Sequence, residues 1–391
     1  MAIPFSRPSI GEEEIEEVVA CLRSGWITSG PRTARFEQEF AAAVGAAHAI
    51  AVSSATAGLH LAFLALDLRP GDEVITTPMT WPATLNTIVQ AGGQPVLVDI
   101  EPGTLNLDAE LIERKLSKKT RAIVPVHFAG QPCDMDAITA IASSRHLRVI
   151  EDAAHAVGTE YRGRKIGSIG DAAVFSFHPI KNITTGEGGM ITTADADLAR
   201  RLRLLRFHGV ERDAWKAYGG AQLPFYDVSL PGLKYNLTDL QAAIGIHQLR
   251  KLDGFIARRE ELACRYDRAL AEVPELRPLG RVPYSCRHAH HLYVVRLDRE
   301  GLSIDREAFM AAVQAAGVGL GLHFTAAHQL SYYRQRLGNL EAELPVATDE
   351  SRRIFSLPLY PAMSDGDVDT VVDVLTRTVQ AHRRSPGSRP A

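Results

Sequence analysis

Between Val52 and Thr193 the chain alternates short β-rich runs with helical runs, and this alternation constrains the fold more than any other feature. "HAIAV" precedes "TAGLHLAFLALDL", "DEVIT" precedes "PATLNTIVQAG", and "QPVLVDI" precedes "DAELIERKL". "TRAIVPV" then precedes "DMDAITAIASSR", and "LRVIED" follows. Strands joined by helices of about 10–15 residues build βαβ units. The pattern predicts an α/β fold with a mainly parallel sheet covered by helices on both faces.

After Ala194 the pattern changes. A helix around "DADLARRLRLLRF" leads into a long loop rich in Gly, Pro and aromatics, and "LTDLQAAIGIHQLRKLDGFIARREELACRYDRALAEV" reads as one long helix. A loop of that length is functional or interfacial. The last part mixes strands ("HLYVVRL", "VGLGLHF") with helices ("DREAFMAAVQAAG", "DGDVDTVVDVLTRTVQAH"). We expect a large unit over 1–251, a smaller α+β domain over 252–382 and a disordered tail over 383–391.

The composition excludes several classes. With 46% hydrophobic and 23% charged residues the chain reads as an ordinary globular protein. A net charge of -3 favours neither nucleic acid nor an anionic membrane as a partner. No apolar run approaches the ~20 residues of a membrane span. The early acidic run "GEEEIEE" is unlike a signal peptide, so a cytoplasmic location is expected. The four cysteines are scattered and read as reduced thiols.

Ligands on parallel α/β sheets bind at the carboxyl ends of strands. Asp152 closes "LRVIED", Ser176 closes "DAAVFSF", and Lys181 follows within "FSFHPIKNITTGEGGMITT". Ser53 to Thr56 close "HAIAV" and open a helix, whose free N–H groups and dipole suit a phosphate. Taken alone, that stretch reads as plain N-capping, and an isolated Lys as a surface turn residue. The flanking apolar strands argue for a desolvated lysine able to form a Schiff base. A buried Asp152 needs a cationic partner, and a protonated pyridine nitrogen supplies one. Lysine for an aldehyde, aspartate for a ring nitrogen and a helix N-terminus for a phosphate are the three grips that pyridoxal 5'-phosphate (PLP) requires.

Other patterns point nowhere else. "RHAHHLYVV" places His288 and His290 on one face of a strand, and "GLHFTAAH" adds His323 and His328, but no fixed ligand set makes them a metal site. No P-loop is present, and no G-x-G-x-x-G follows a strand.

"EDAAHAVG", "GDAAVFSFHPIKNITTGEGGMITT" and "GLKYNLTDLQAAIGIHQLRKLD" resemble the PLP-dependent sugar aminotransferases of the DegT/StrS type. "SRPSIGEEEIEEVVACLRSGWITSGP", "VSSATAGLHLAFLAL" and "GDEVITTPMTWPATLN" fit the same family, so the resemblance runs from about Pro4 to Val379. It implies the fold type I of PLP-dependent transferases, the aspartate aminotransferase fold. One branch is most similar: the UDP-4-amino-4-deoxy-L-arabinose aminotransferases of lipid A modification. "TTGEGG" departs from the "TCAEGG" expected there, and the loop Val210 to Pro231 also diverges.

By position, the resemblance makes Lys181 the Schiff-base lysine and the general base and acid. Asp152 would hold the pyridine N–H, Trp81 would stack on the ring, and His155 would lie near its hydroxyl face. Ala55, Thr56 and Ser176 would hold the phosphate, closed by Asn236 of a partner subunit in a homodimer with shared active sites. By sequence alone Asn236 also reads as a helix N-cap, and Trp81 as a core aromatic. Trp26, Thr28, His323 and His328 are candidate substrate residues, and Lys234 and Arg212 candidates for the diphosphate. The implied substrates are L-glutamate and a 4-keto nucleotide sugar, UDP-4-keto-L-arabinose first and a 4-keto hexose second. A family dehydratase would carry His in place of Lys181, and a non-catalytic sensor would not need Lys181, Asp152 and Ser176 together.

Overall fold

The computed structural model describes residues 2–211 and 227–384. Arg212 and most of the tail lie outside the described residues. The central sheet has seven strands: β1 (His48–Val52), β2 (Glu73–Thr76), β3 (Gln94–Leu97), β4 (Thr120–Val124), β5 (Arg148–Asp152), β6 (Ala172–Ser176) and β7 (Gly189–Thr193). Their spatial order is β1-β7-β6-β5-β4-β2-β3. Every pairing is parallel except those of β7, which runs against both β1 and β6.

The strands are apolar throughout because both faces are covered. Ile50, Val52, Val74, Ile150, Val174 and Ile191 pack on one face with the helices Ala55–Ala65 and Ala196–Arg206. The alternate residues Ala49, Ala51, Ile75, Val149, Phe175 and Met190 pack on the other face. There they meet Phe36 and Phe40 of the helix Pro31–Val44 and Ile246 of the helix Asp239–Leu270. Side chains of a strand alternate faces, so two apolar covers require an unbroken apolar run.

The reversal of β7 has a local result. Its first residue, Gly189, stands beside Val52 and Ser176, at the carboxyl ends of β1 and β6. A Cβ at Gly189 would lie 2.7 Å from Ala55 N and from the Ser54 carbonyl carbon. Only glycine lets the strand approach the helix start so closely.

The C-terminal part holds an antiparallel sheet of Leu276–Pro278, Tyr293–Leu297 and Ile354–Leu357. The helices Arg306–Ala315 and Asp365–His382 and the second half of Asp239–Leu270 bury its apolar face. The long helix runs unbroken through position 252. Among the described residues no helix is long and apolar enough to cross a membrane.

Several local expectations are corrected. "VGLGLHF" is not a strand: Val318 bridges to Ile3 and Gly321 to Ser356, so the segment changes partner before a ladder can form. His288 and His290 do stack, at 4.2 Å, but off any strand, because His290 adopts a positive φ of 48°. "DAELIERKL" gives only a short helix, Ala109–Ile112, continued as a 3-10 turn. Part of the long loop is structured: Val210–Glu211 pairs with Asp227–Val228. Arg383 and Arg384, assigned above to the tail, are pinned. Arg383 pairs with Glu275 through both Nε and an Nη, at 2.6 and 2.9 Å, and Arg384 Nε donates to the Leu302 carbonyl at 2.6 Å.

Candidate active site

A cavity of about 490 Å³ opens at the carboxyl ends of β1, β5 and β6 and at the start of β7. Lys181, Asp152 and Ser176 line it, together with Ala55 and Thr56 at the start of the helix Ala55–Ala65. Trp81, His155 and His323 complete its walls. The topology explains the convergence: three strands end here, and the turn after β6 carries Lys181 back over the sheet edge.

Asp152 is buried, and burial pushes its carboxyl above the usual range. Thr84 Oγ1 donates to Oδ2 at 2.7 Å, Ala154 N–H donates to Oδ1 at 3.2 Å, and Lys181 adds a positive charge. These contacts pull the other way. Burial pushes the Lys181 amine down to about 8, against the upward pull of Asp152. A lysine so placed carries an appreciable neutral fraction near neutral pH.

The helix Ala55–Ala65 is capped by Ser54, whose Oγ accepts from Ala57 N at 3.0 Å. The Ser54 carbonyl accepts from Gly58 N. The N–H groups of Ala55 and Thr56 precede these bonds and belong to the unpaired first turn of the helix. With the hydroxyls of Thr56 and Ser176 on the same cavity, they form an anion cradle.

Trp81 is no core aromatic, being 64% exposed at the cavity mouth. Its indole sits 6.1 Å from Phe324. His155 stacks on Phe324 at 5.7 Å and 22°, and its Nδ1 accepts from Ala129 N at 3.3 Å. Burial holds the imidazole well below its ordinary pKa. His323 bonds Ser356 Oγ at 3.0 Å, and burial pushes it down to about 3.

The other candidates lie elsewhere. His328 is buried with Nε2 2.9 Å from Thr348 Oγ1 and does not line this cavity. Asn236 and Thr28 line a second cavity, about 620 Å³, with Arg200, Arg203 and Arg206. Asn236 is not the helix cap; Thr238 is, in a capping box with Gln241. Its Nδ2 donates to Ser29 Oγ at 2.6 Å, and Lys234 Nζ contacts its Oδ1. Trp26 is exposed and donates to the Ser29 carbonyl at 3.1 Å. Two participants escaped the sequence reading. Thr84 lies three residues past Trp81, one helical turn in, and Phe324 follows His323; only the spacing hinted at either.

The donor set fits PLP. A buried carboxylate with two hydrogen bonds still has lone pairs for a pyridinium N–H. The lysine has a lowered pKa, and the helix start offers N–H groups and hydroxyls to a phosphate.

Nearly the whole chain is similar to known proteins in sequence and fold. The DegT/DnrJ/EryC1/StrS aminotransferase family matches residues 8–376. The spore coat polysaccharide biosynthesis protein SpsC of Bacillus subtilis (strain 168) is 48% identical over 380 residues, covering 97% of each chain. Spr1654 of Streptococcus pneumoniae, a candidate sugar aminotransferase solved in its PLP-form, superposes with a TM-score of 0.90 at 32% identity. That match covers 97% of this chain and 99% of Spr1654. DesI, solved in the presence of its TDP-sugar product, gives a TM-score of 0.85 at 32% identity, over 97% of this chain and 93% of DesI.

Proposed function

The chain belongs to the DegT/DnrJ/EryC1/StrS aminotransferase family and is a PLP-dependent sugar aminotransferase, and from that premise we propose that it moves the amino group of L-glutamate to the 4-keto group of a nucleotide sugar. The observation that carries this reading is the meeting of Lys181, Asp152 and the helix start at Ala55 and Thr56 in one cavity. Bound there, PLP supplies an electron sink and a carbonyl that carries nitrogen from one substrate to the other.

The residues divide the remaining work. Lys181 Nζ, with its pKa near 8, is the base that takes the proton from the donor's α-carbon. As an ammonium it is the acid that returns a proton when the sugar is aminated. Asp152 keeps a buried negative charge opposite a ring N–H, held in orientation by Thr84 and Ala154. Ala55, Thr56 and Ser176 anchor a phosphate. Trp81 and Phe324 wall the mouth against water. We place Asn236 of a partner subunit at the phosphate, and Trp26, Thr28 and His323 at the sugar nucleotide. The enzyme then works as a cytoplasmic homodimer with a larger unit ending near residue 251.

The motif resemblance supports UDP-4-keto-L-arabinose as acceptor. A second reading is a nucleotide 4-keto hexose: "TTGEGG" beside Lys181 departs from the arabinose-branch motif, and the 48% identical relative is a spore coat polysaccharide biosynthesis protein. Absorbance spectra decide. The purified protein should show a long-wavelength band that glutamate bleaches. Recovery with a 4-keto UDP-pentose supports the arabinose reading; recovery only with a 4-keto hexose supports the second. A protein that takes up no band from added PLP would overturn both.

A further inference from the structure

His291 has no part in the mechanism above, yet it is anchored against the active site. Its backbone N–H donates to the Ala129 carbonyl at 3.0 Å, and its carbonyl accepts from Arg259 Nη1 at 3.2 Å. The side chain is only 2% exposed, and among the described residues neither ring nitrogen has a hydrogen-bond partner. An unpaired buried polar group is destabilising, and an aliphatic side chain would avoid that cost. A buried imidazole kept under those terms calls for a reason.

Its neighbour supplies one. The His291 ring lies 4.4 Å from the His155 ring, inclined at 42°. Phe324 covers His155 as well, stacked at 22°. Gly130 fills the gap between the two backbones: its φ is 93°, and a Cβ there would lie 3.0 Å from the His155 carbonyl and 3.1 Å from His291 N. His155 Nδ1 accepts the Ala129 N–H, so the proton of the neutral ring sits on Nε2. That leaves Nε2–H as the one donor the ring offers the cavity. The groups acting on His291 are His155, Lys181, Arg259 and His323; none is an acid, and with burial they hold it neutral.

We propose that His291 is a positioning residue for the transamination: its imidazole, packed against His155, holds that ring in the orientation in which Ala129 N–H fixes its tautomer and Nε2–H faces the cofactor. The inference rests on the reading that His155 touches the cofactor. A charged or aliphatic residue at 291 would leave His155 held by one long hydrogen bond, the stack on Phe324 and an edge contact with Phe128.

The test uses cofactor-loaded protein and two readouts besides turnover: PLP affinity and the pH midpoint of the visible band. His291→Leu should weaken PLP binding about ten-fold, as loss of a supporting partner commonly does. It should also move the pH midpoint by about one unit. His291→Asn, which keeps a donor and an acceptor, should recover part of both. Wild-type values in a folded His291→Leu protein would overturn the proposal. Should that variant not fold, nitrogen NMR of the wild-type histidines replaces it. A fixed Nε2–H tautomer of His155 from about pH 6 to 9 is expected; mixed tautomers would overturn the proposal. His155→Phe separates the premise from the inference. If it leaves affinity and midpoint unchanged, His155 does not touch the cofactor and the proposal falls with that premise. If His155→Phe changes both and His291→Leu neither, only the role of His291 fails.

Discussion

Thr84 gives its hydroxyl proton to Asp152 Oδ2 at 2.7 Å, and Thr80 Oγ1 lies 2.8 Å behind it. A hydroxyl has one proton, so Thr80 must be the donor in the second contact. The two threonines thus form a directed chain that ends on the carboxylate. Thr84→Val keeps the shape and removes the bond. It should cost about 1.5–3 kcal/mol, the worth of a hydrogen bond to a charged group, and raise the Asp152 pKa further. Denaturant unfolding and kcat measure it; a variant equal to wild type in both would show that the bond does not orient Asp152.

Lys181 should report its own protonation. Its pKa is lowered from 10.5 to about 8, so the folded protein releases this proton before the unfolded chain does. Between about pH 8 and 10.5 the unfolded chain binds more protons, and the contribution of this group to apoprotein stability should rise with pH. Comparison with Lys181→Met across that window isolates the effect. Capture of PLP needs the neutral amine, so its rate should climb roughly ten-fold per unit below pH 8 and then level off. Lys181→Ala should lower turnover by at least about 10²–10⁴-fold and still bind pyridoxamine phosphate.

Gly189→Ala would place a methyl 2.7 Å from Ala55 N. Backbone cannot yield as a flexible side chain can, so the helix start must move. We expect a loss of about 1–3 kcal/mol in stability, together with weaker PLP binding, since Ala55 and Thr56 would shift away from Ser176. Titration with PLP would detect it; unchanged affinity would separate the helix start from the phosphate.

Asn236 lines a cavity apart from Lys181. If it serves the partner's site, Lys181→Ala and Asn236→Ala chains should complement each other. Equal mixing after dissociation should restore about a quarter of wild-type activity, from the one intact site of each hybrid dimer. No recovery in demonstrably mixed dimers would place Asn236 outside the partner's site.

The central sheet was legible because its strands are covered on both faces, which leaves runs such as "HAIAV" and "GMITT" unbroken. Lys181 and Asp152 were legible because strand ends gather at one edge. Where neighbouring residues take different partners, the sequence misled. Val318 to Phe324 reads as a strand, yet its glycines let it serve Ile3 and then Ser356. His323 and His328 sit five apart, but the chain bends into a 3-10 turn at Ala327–Gln329, and only His323 lines the cavity. "NLTDLQ" offers two capping residues, and the pairing of Thr238 with Gln241 settles the choice. Thr84 was hidden because a threonine in a helix shows its purpose only once Asp152 is beside it.

Arg259 is buried, and burial pushes its guanidinium down to about 10. Its Nη1 lies within hydrogen-bond distance of the carbonyls of His290, His291 and Leu359. Stripping those carbonyls away would strand a buried cation, at a cost of several kcal/mol. The long helix, the segment behind His155 and the end of the small sheet are therefore riveted at one point. A swing of the C-terminal part about this point would carry along His291, whose ring packs on His155 in the wall of the active site.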